Sequence, residues 1–171
     1  MPTSSPTGRL WQIWTAAITW AGKVSATVRR STSGKSFVDT NVLIYAHDVD
    51  AGTRHVKAST LLRLLWEERA GVLSPQVLTE FYVNVTRKIA KPLARTEARA
   101  IVGTYALWSV ETSAGDVARA FEIEEETKIS FWDALIVASA VKAGATTLLS
   151  EDLNAGQTIA GVRVENPIAR R

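Results

Sequence analysis

Four acidic residues in this chain stand where they could do chemistry. Asp39 is the first acid in the sequence and closes the apolar run Ser36-Phe37-Val38, ahead of Thr40-Asn41 and the apolar Val42 to Ala46. In open parallel sheets ligands gather beyond the carboxyl ends of strands, so an acid there points at the expected site. Aspartate is equally suited to cap the helix that follows, and on this residue alone both readings stand. Asp133 is the only acid between Phe131 and Ala143, in Phe131-Trp132-Asp133-Ala134-Leu135-Ile136-Val137. An ionised carboxylate in such surroundings is costly unless something compensates it. Ser130 three residues earlier also fits a helix-capping pair, and a cap can orient one oxygen while the other faces an ion.

Glu80 lies on a segment opened by Ser74-Pro75, beside the stripe of Val77, Phe81 and Val85. At 3.6 residues per turn it borders that stripe, although a solvated helix edge would look the same. Asp152 follows the apolar Leu148-Leu149 and Ser150, just past another expected strand, in a place where turn acids are common. The set is more telling than any member. Parallel topology would bring these strand edges into one crevice, where two unit charges about 4 Å apart repel by roughly 1 kcal/mol in water and about 4 at an effective dielectric of 20. Gathered acids must therefore protonate or bind cations.

The chain has no cysteine and only two histidines, His47 and His55, which excludes disulfides, cysteine-bound zinc and a histidine-built metal cage. Oxygen ligands favour Mg²⁺ or Mn²⁺. Such an ion suits phosphodiester hydrolysis, where it activates water and shields the phosphate. Histidine acid–base cleavage is less suited, because neither histidine has an evident catalytic partner.

The elements that must position these acids begin near Ser36. With 171 residues, 46% of them apolar, the chain can bury one substantial core and has little room for two. Short apolar runs alternate with helical patterns, as in parallel strands joined by helical crossovers. Strands are predicted near 36–39, 71–74, 108–111, 146–150 and 161–164. Helices are predicted over 55–69, ended by Gly71, and over 75–90, with Pro75 at the first position and Val77, Phe81, Val85 and Ile89 repeating every four residues. Segments 96–107, 115–127 and 131–143 also read as helices, the last apolar nearly all round and hence buried.

Residues 1–35 differ in kind and read as an extension outside the domain of residues 36–171. They carry Arg9, Lys23, Arg29, Arg30 and Lys35 without an acid, leaving 15 basic against 17 acidic residues in the rest. The net charge of +3 therefore says nothing of the body, which is close to neutral, and any RNA-binding surface must be local. The local cluster is Arg87, on the ridge that Glu80 begins, with Lys88 and Lys91 nearby, although cations also suit a helix end without any ligand. The apolar run 10–21 is shorter than the roughly 20 residues that span a bilayer. With Arg9 before it and Val24-Ser25-Ala26 after it, the run could serve as a weak signal peptide, or it is a dispensable segment. No membrane association is expected, and the cytoplasm is the expected compartment.

Taken together, Phe37-Val38-Asp39-Thr40-Asn41-Val42-Leu43-Ile44-Tyr45, Leu78-Thr79-Glu80-Phe81, Phe131-Trp132-Asp133-Ala134-Leu135-Ile136 and Leu149-Ser150-Glu151-Asp152-Leu153 resemble the PIN-domain family. The resemblance is strongest to its VapC-type toxins and covers roughly residues 36–167. It implies an α/β, Rossmann-like three-layer sandwich with a central parallel sheet, and an endoribonuclease dependent on Mg²⁺ or Mn²⁺. Asp39, Glu80, Asp133 and Asp152 match the family's acids, with Asn41 and Ser150 as groups that position them or a water. A cognate antitoxin and a homodimer are implied in the same way. The extension departs from the family pattern. A phosphoaspartyl phosphatase would need Asp-x-Asp where this chain has Asp39-Thr40-Asn41. Ser33-Gly34-Lys35-Ser36 lacks the first glycine of a phosphate-binding loop and precedes a strand instead of following one. The remaining alternative is a catalytically silent PIN-like module that binds RNA or protein. Loss of an acid is its usual cause, and none of the four is missing.

Overall fold

A computed structural model describes residues 34–169. The tryptophan-bearing run 10–21 and the small-residue segment 24–26 lie outside the described residues, so the signal-peptide reading does too. In chain order the elements are β1 (Lys35–Val38), α1 (Thr40–His47), α2 (Thr53–Glu67), β2 (Gly71–Val72), α3 (Pro75–Arg87), α4 (Arg95–Tyr105), α5 (Ala114–Thr127), α6 (Phe131–Lys142), β3 (Ala145–Leu149), β4 (Thr158–Ile159) and β5 (Val162–Glu165). Among the described residues no helix is long and apolar enough to cross a membrane.

The strands form one sheet in the order β2-β1-β3-β5-β4, flanked by helices. β1 pairs in parallel with both β2 and β3, whose connections run through helices, and β3 pairs in parallel with β5 across residues 150–161, which carry only β4. Phe37, Val38 and Leu148 are buried, and the run of consecutive apolar residues is what a strand covered on both faces needs. α6 is likewise buried from Ala134 to Ala140, which is why its apolar residues show no one-sided pattern. It packs on α5 and β3, whereas α1 packs on α2 and α3. On α3 the buried side is Val77, Phe81 and Val85, as their spacing anticipates.

Three expectations are revised. The segment 108–111 is not a strand. A short 3-10 turn, Ala106–Trp108, leads into a single parallel bridge between Leu73 and Ser109. There the Leu73 N–H donates to the Trp108 carbonyl at 3.1 Å and the Val110 N–H to that of Leu73 at 2.8 Å. Pairing stops because Ser113 is already the cap of α5. The second revision concerns Gly71. α2 ends at Glu67, and the left-handed residue after it is Arg69, at φ 53°. Gly71 is needed two residues later, inside β2, where a Cβ would lie 2.6 Å from the Trp108 ring. Third, the sheet is mostly and not wholly parallel. β4 runs antiparallel to β5 through a tight hairpin, with Ala160 at φ 49° and Gly161 at φ 84°. Two consecutive positive φ values match the twist of the flanking strands.

Candidate active site

β1 and β3 lie side by side with Val38 opposite Leu149, so the residues that follow each strand emerge together at the carboxyl edge. The backbone pairing continues one step further. The Asp39 N–H donates to the Leu149 carbonyl and the Ser150 N–H to that of Glu165, both at 3.0 Å. Asp39 and Ser150 are thereby fixed by the sheet itself, and Ser150 Oγ donates to Asp39 Oδ2 at 2.6 Å. Asn41, one residue into α1, bridges the two strand ends. Its Nδ2 donates to Asp39 Oδ2 and to Asp152 Oδ2, each at 3.0 Å, and its Oδ1 accepts from the Glu151 N–H at 3.3 Å. The Asp152 N–H in turn donates to Ser150 Oγ at 3.1 Å.

Glu80 enters from α3. Thr40 Oγ1 donates to its Oε2 at 2.9 Å, while Gln76 Nε2 donates to its Oε1 at 3.0 Å. Thr40 also donates its N–H to Asp39 Oδ1 at 2.6 Å. One residue thus ties two acids together. Asp39 caps α1, so its capping role and its place in the cluster coexist.

Asp133 is held differently. Its Oδ2 accepts from Ser130 Oγ at 2.7 Å and its N–H donates back to that oxygen at 3.2 Å, the reciprocal cap that Ser-x-x-Asp predicts. No hydrogen bond among the described residues joins it to the other three acids. The hydrogen-bond network reaches its neighbour instead, where Gln76 Nε2 also donates to the Trp132 carbonyl at 3.4 Å. The structure therefore unites Asp39, Glu80, Asp152, Asn41 and Ser150 in one network and sets Asp133 beside it.

The electrostatics of this network are unbalanced. Asp39 is only 8% exposed, and its carboxyl is pushed up to about 6. Burial is the main cause, with the charges of Asp152 and Glu80 adding to it against the hydrogen bonds from Ser150 and Thr40. Among the described residues no lysine or arginine forms an ion pair with any of the four acids. A buried carboxylate with acidic neighbours and only neutral donors is a donor set that fits a hard divalent cation. Yet no three of the described Asp, Glu or His side chains converge as a ready cage. Their oxygens are held by Asn, Ser and Thr donors instead.

The proposed RNA contacts separate. Arg87 and Lys88 are exposed where α3 ends, whereas Lys91 is paired with Asp50 at 2.9 Å. Sequence reasoning missed Thr40 and Gln76 as partners of Glu80. The Gln76–Glu80 spacing of four on a helix was legible; Thr40 needed the packing of α1 on α3. It also missed the ion pair of Arg54 with Glu151 at 2.9 Å on the rim of the site.

Residues 36–158 match the family model described as the PIN domain. No curated protein matches the chain. Solved structures similar to it include a toxin–antitoxin complex from Klebsiella pneumoniae, at 22% identity and a TM-score of 0.57, with 78% of this chain and 98% of that one covered. VapBC2 from Rickettsia felis bound to a promoter DNA fragment gives 20% and 0.54, over 77% and 97%. DNA-bound VapBC from Salmonella typhimurium gives 17% and 0.55, over 77% and 96%. At such identities the likeness is one of fold.

Proposed function

Because this chain belongs to the PIN-domain family, we propose that it is a metal-dependent endoribonuclease that hydrolyses RNA phosphodiester bonds at the carboxylates around Asp39. The observation that carries this reading is the buried Asp39 carboxyl, pushed up to about 6 beside Asp152 and Glu80 with no basic residue paired to them among the described residues. Such a group is poised to accept a cation.

Asp39, Glu80, Asp152 and Asp133 would hold Mg²⁺ or Mn²⁺, the first three already linked through hydrogen bonds to Thr40 and Asn41 and Asp133 through the oxygen that its cap does not use. Bound there, the ion would shield the phosphate and lower the pKa of a water for attack. The protein's own contribution is positioning. Ser150 and Asn41 fix Asp39 Oδ2, leaving the carboxylate little freedom to turn, and Thr40 and Gln76 do the same for Glu80. Above about pH 6 Asp39 is ionised and can bind a cation; below it the proton competes.

Several solved relatives are toxin–antitoxin assemblies, and two of those described are bound to DNA. By that likeness this chain would be the toxin of such a pair, neutralised by an antitoxin protein, acting in the cytoplasm and forming a homodimer. The test is cleavage of a mixed-sequence RNA with Mg²⁺ or Mn²⁺, with EDTA, and with the ion restored. Cleavage lost and regained is expected. RNA binding without cleavage under every condition would instead favour a silent binding module.

A further inference from the structure

The loop that carries Ser150 and Asp152 also carries Glu151, and Glu151 holds the one guanidinium ion-paired to this rim among the described residues. Arg54, in the first turn of α2, directs Nη2 to Glu151 Oε1 at 2.9 Å and Nη1 to the Tyr45 hydroxyl, with its guanidinium 5.0 Å from the centre of the Tyr45 ring. Its Nε–H is buried with no hydrogen-bond partner. The Glu151 N–H is bonded to Asn41, which bridges Asp39 and Asp152, so Arg54 stands two residues removed from the acids. Nearly a third of its side chain is exposed, and about a quarter of that of Glu151.

We propose that Arg54 binds an RNA backbone phosphate next to the scissile one, and that Glu151 holds it in reserve until the RNA arrives. The inference rests on the ribonuclease reading and names the substrate contact of that same site. Three features support it. An acidic cluster repels a polyanion, so a binding path needs a cation close by, and this is the cation the rim supplies. A guanidinium held by the Tyr45 hydroxyl and ring keeps its Nη2 aimed at the loop, so a phosphate that takes the place of Glu151 meets a charge-assisted donor already in position. Finally, both side chains reach solvent, so a phosphate can approach the pair and take the place of Glu151.

The alternative is that Arg54 merely braces the loop through Glu151. The two differ in sign at Glu151. As a substrate contact, Arg54 gains freedom when Glu151 is neutralised, whereas as a brace it loses its purpose. The measurement is anisotropy of a labelled single-stranded RNA against salt, on the full chain in an Asp39→Asn background. Arg54→Ala is expected to weaken binding about tenfold and to flatten the logarithmic salt slope by about 0.7, the contribution of one phosphate. Arg54→Lys should keep the slope while losing part of the affinity, and Glu151→Gln should tighten binding by up to about fivefold.

Weaker binding in Glu151→Gln, parallel to that in Arg54→Ala, would overturn the proposal in favour of the brace. So would an unchanged slope in Arg54→Ala. If Arg54→Ala does not fold, the lysine and Glu151→Gln variants decide the matter by the same signs. Failure of the ribonuclease reading is separate: the parent would neither bind RNA nor, with Asp39 restored, cleave it, and the proposal would fall with it.

Discussion

The two ends of α1 each enclose a titratable group, and they do so by opposite means. At the first end Asp39 is surrounded by Ser150, Asn41 and Thr40, all donors, with Glu80 and Asp152 beyond them. At the last, His47 lies against the rings of Phe81 and Tyr105 at 5.3 and 5.7 Å and exchanges a hydrogen bond with the Tyr105 hydroxyl at 3.0 Å. Part of His47 reaches solvent, yet burial, helped by nearby His55, lowers its pKa to about 4. The imidazole meets its surroundings by staying neutral. Asp39 cannot do so and still act, because its donors are arranged for the anion. Consecutive residues of α3 attend the two ends, Glu80 through Thr40 and Phe81 through His47, so one helix serves chemistry with one side chain and packing with the next.

If that contrast is right, activity should be divided between the ends. Asp39→Asn is expected to lower Mg²⁺-dependent RNA cleavage by at least about a hundredfold, with the circular-dichroism spectrum unchanged. Asp133→Asn should do the same, which would place that acid in the reaction despite its separate cap. His47→Gln should change turnover by no more than a few fold. Comparable losses at both ends would erase the distinction.

Stability should separate them by slope. A carboxyl raised in the folded state binds its proton more tightly there than in the unfolded chain, so Asp39 makes metal-free protein lose stability as pH rises from about 4 to about 6. A histidine lowered in the folded state does the reverse, and His47 adds stability as pH rises from about 4 to its ordinary 6.5. Each effect is at most about 3 kcal/mol, and in the wild type they largely offset. Urea unfolding at successive pH values should therefore rise more steeply with pH in Asp39→Asn and fall with pH in His47→Gln. Mg²⁺ should remove the Asp39 contribution only. Identical slopes in both variants would mean that neither group titrates as its surroundings require.

The smallest effect is expected farther along α3, past the aromatic end. An Arg87→Ala, Lys88→Ala, Lys91→Ala triple variant, in an Asp39→Asn background, should weaken RNA binding modestly and independently of sequence. Its salt slope should fall by about 0.7 for each phosphate that the three residues hold, Lys91 included, since its exposed pair with Asp50 is weak. An unchanged slope would confine the RNA path to the polar end of α1.

Much of this molecule was legible along the chain because its signals are local. Val77, Phe81 and Val85 declare the buried face of α3 by spacing, Pro75 declares its start, and Ser130 with Asp133 declares the cap of α6. The uninterrupted apolar runs at 37–38 and 148–149 announced strands covered on both faces, and the acids after them marked the carboxyl edge. The reduction of 108–111 to one bridge was not legible, since the segment has a strand's composition and its pairing is cut short by the cap of α5 at Ser113. Nor was the antiparallel β4, two residues long and defined by a turn.

Sequence by itself determined which residue types were available: acids at strand ends, neutral donors between them, no cysteine and too few histidines for another kind of metal site. Only tertiary structure decided which oxygens meet. Asp39 and Ser150 are 111 positions apart and touch because β1 and β3 are neighbours in register; Thr40 reaches Glu80 because α1 packs on α3; and Arg54 reaches Glu151 from the start of α2. The physical reason is range. Helical spacing and capping act over a few residues and leave a pattern in the chain, whereas burial and charge depend on what arrives from elsewhere: apart from Thr40, the residues that shift the pKa of Asp39 together with its burial are Glu80, Ser150 and Asp152, all distant in sequence.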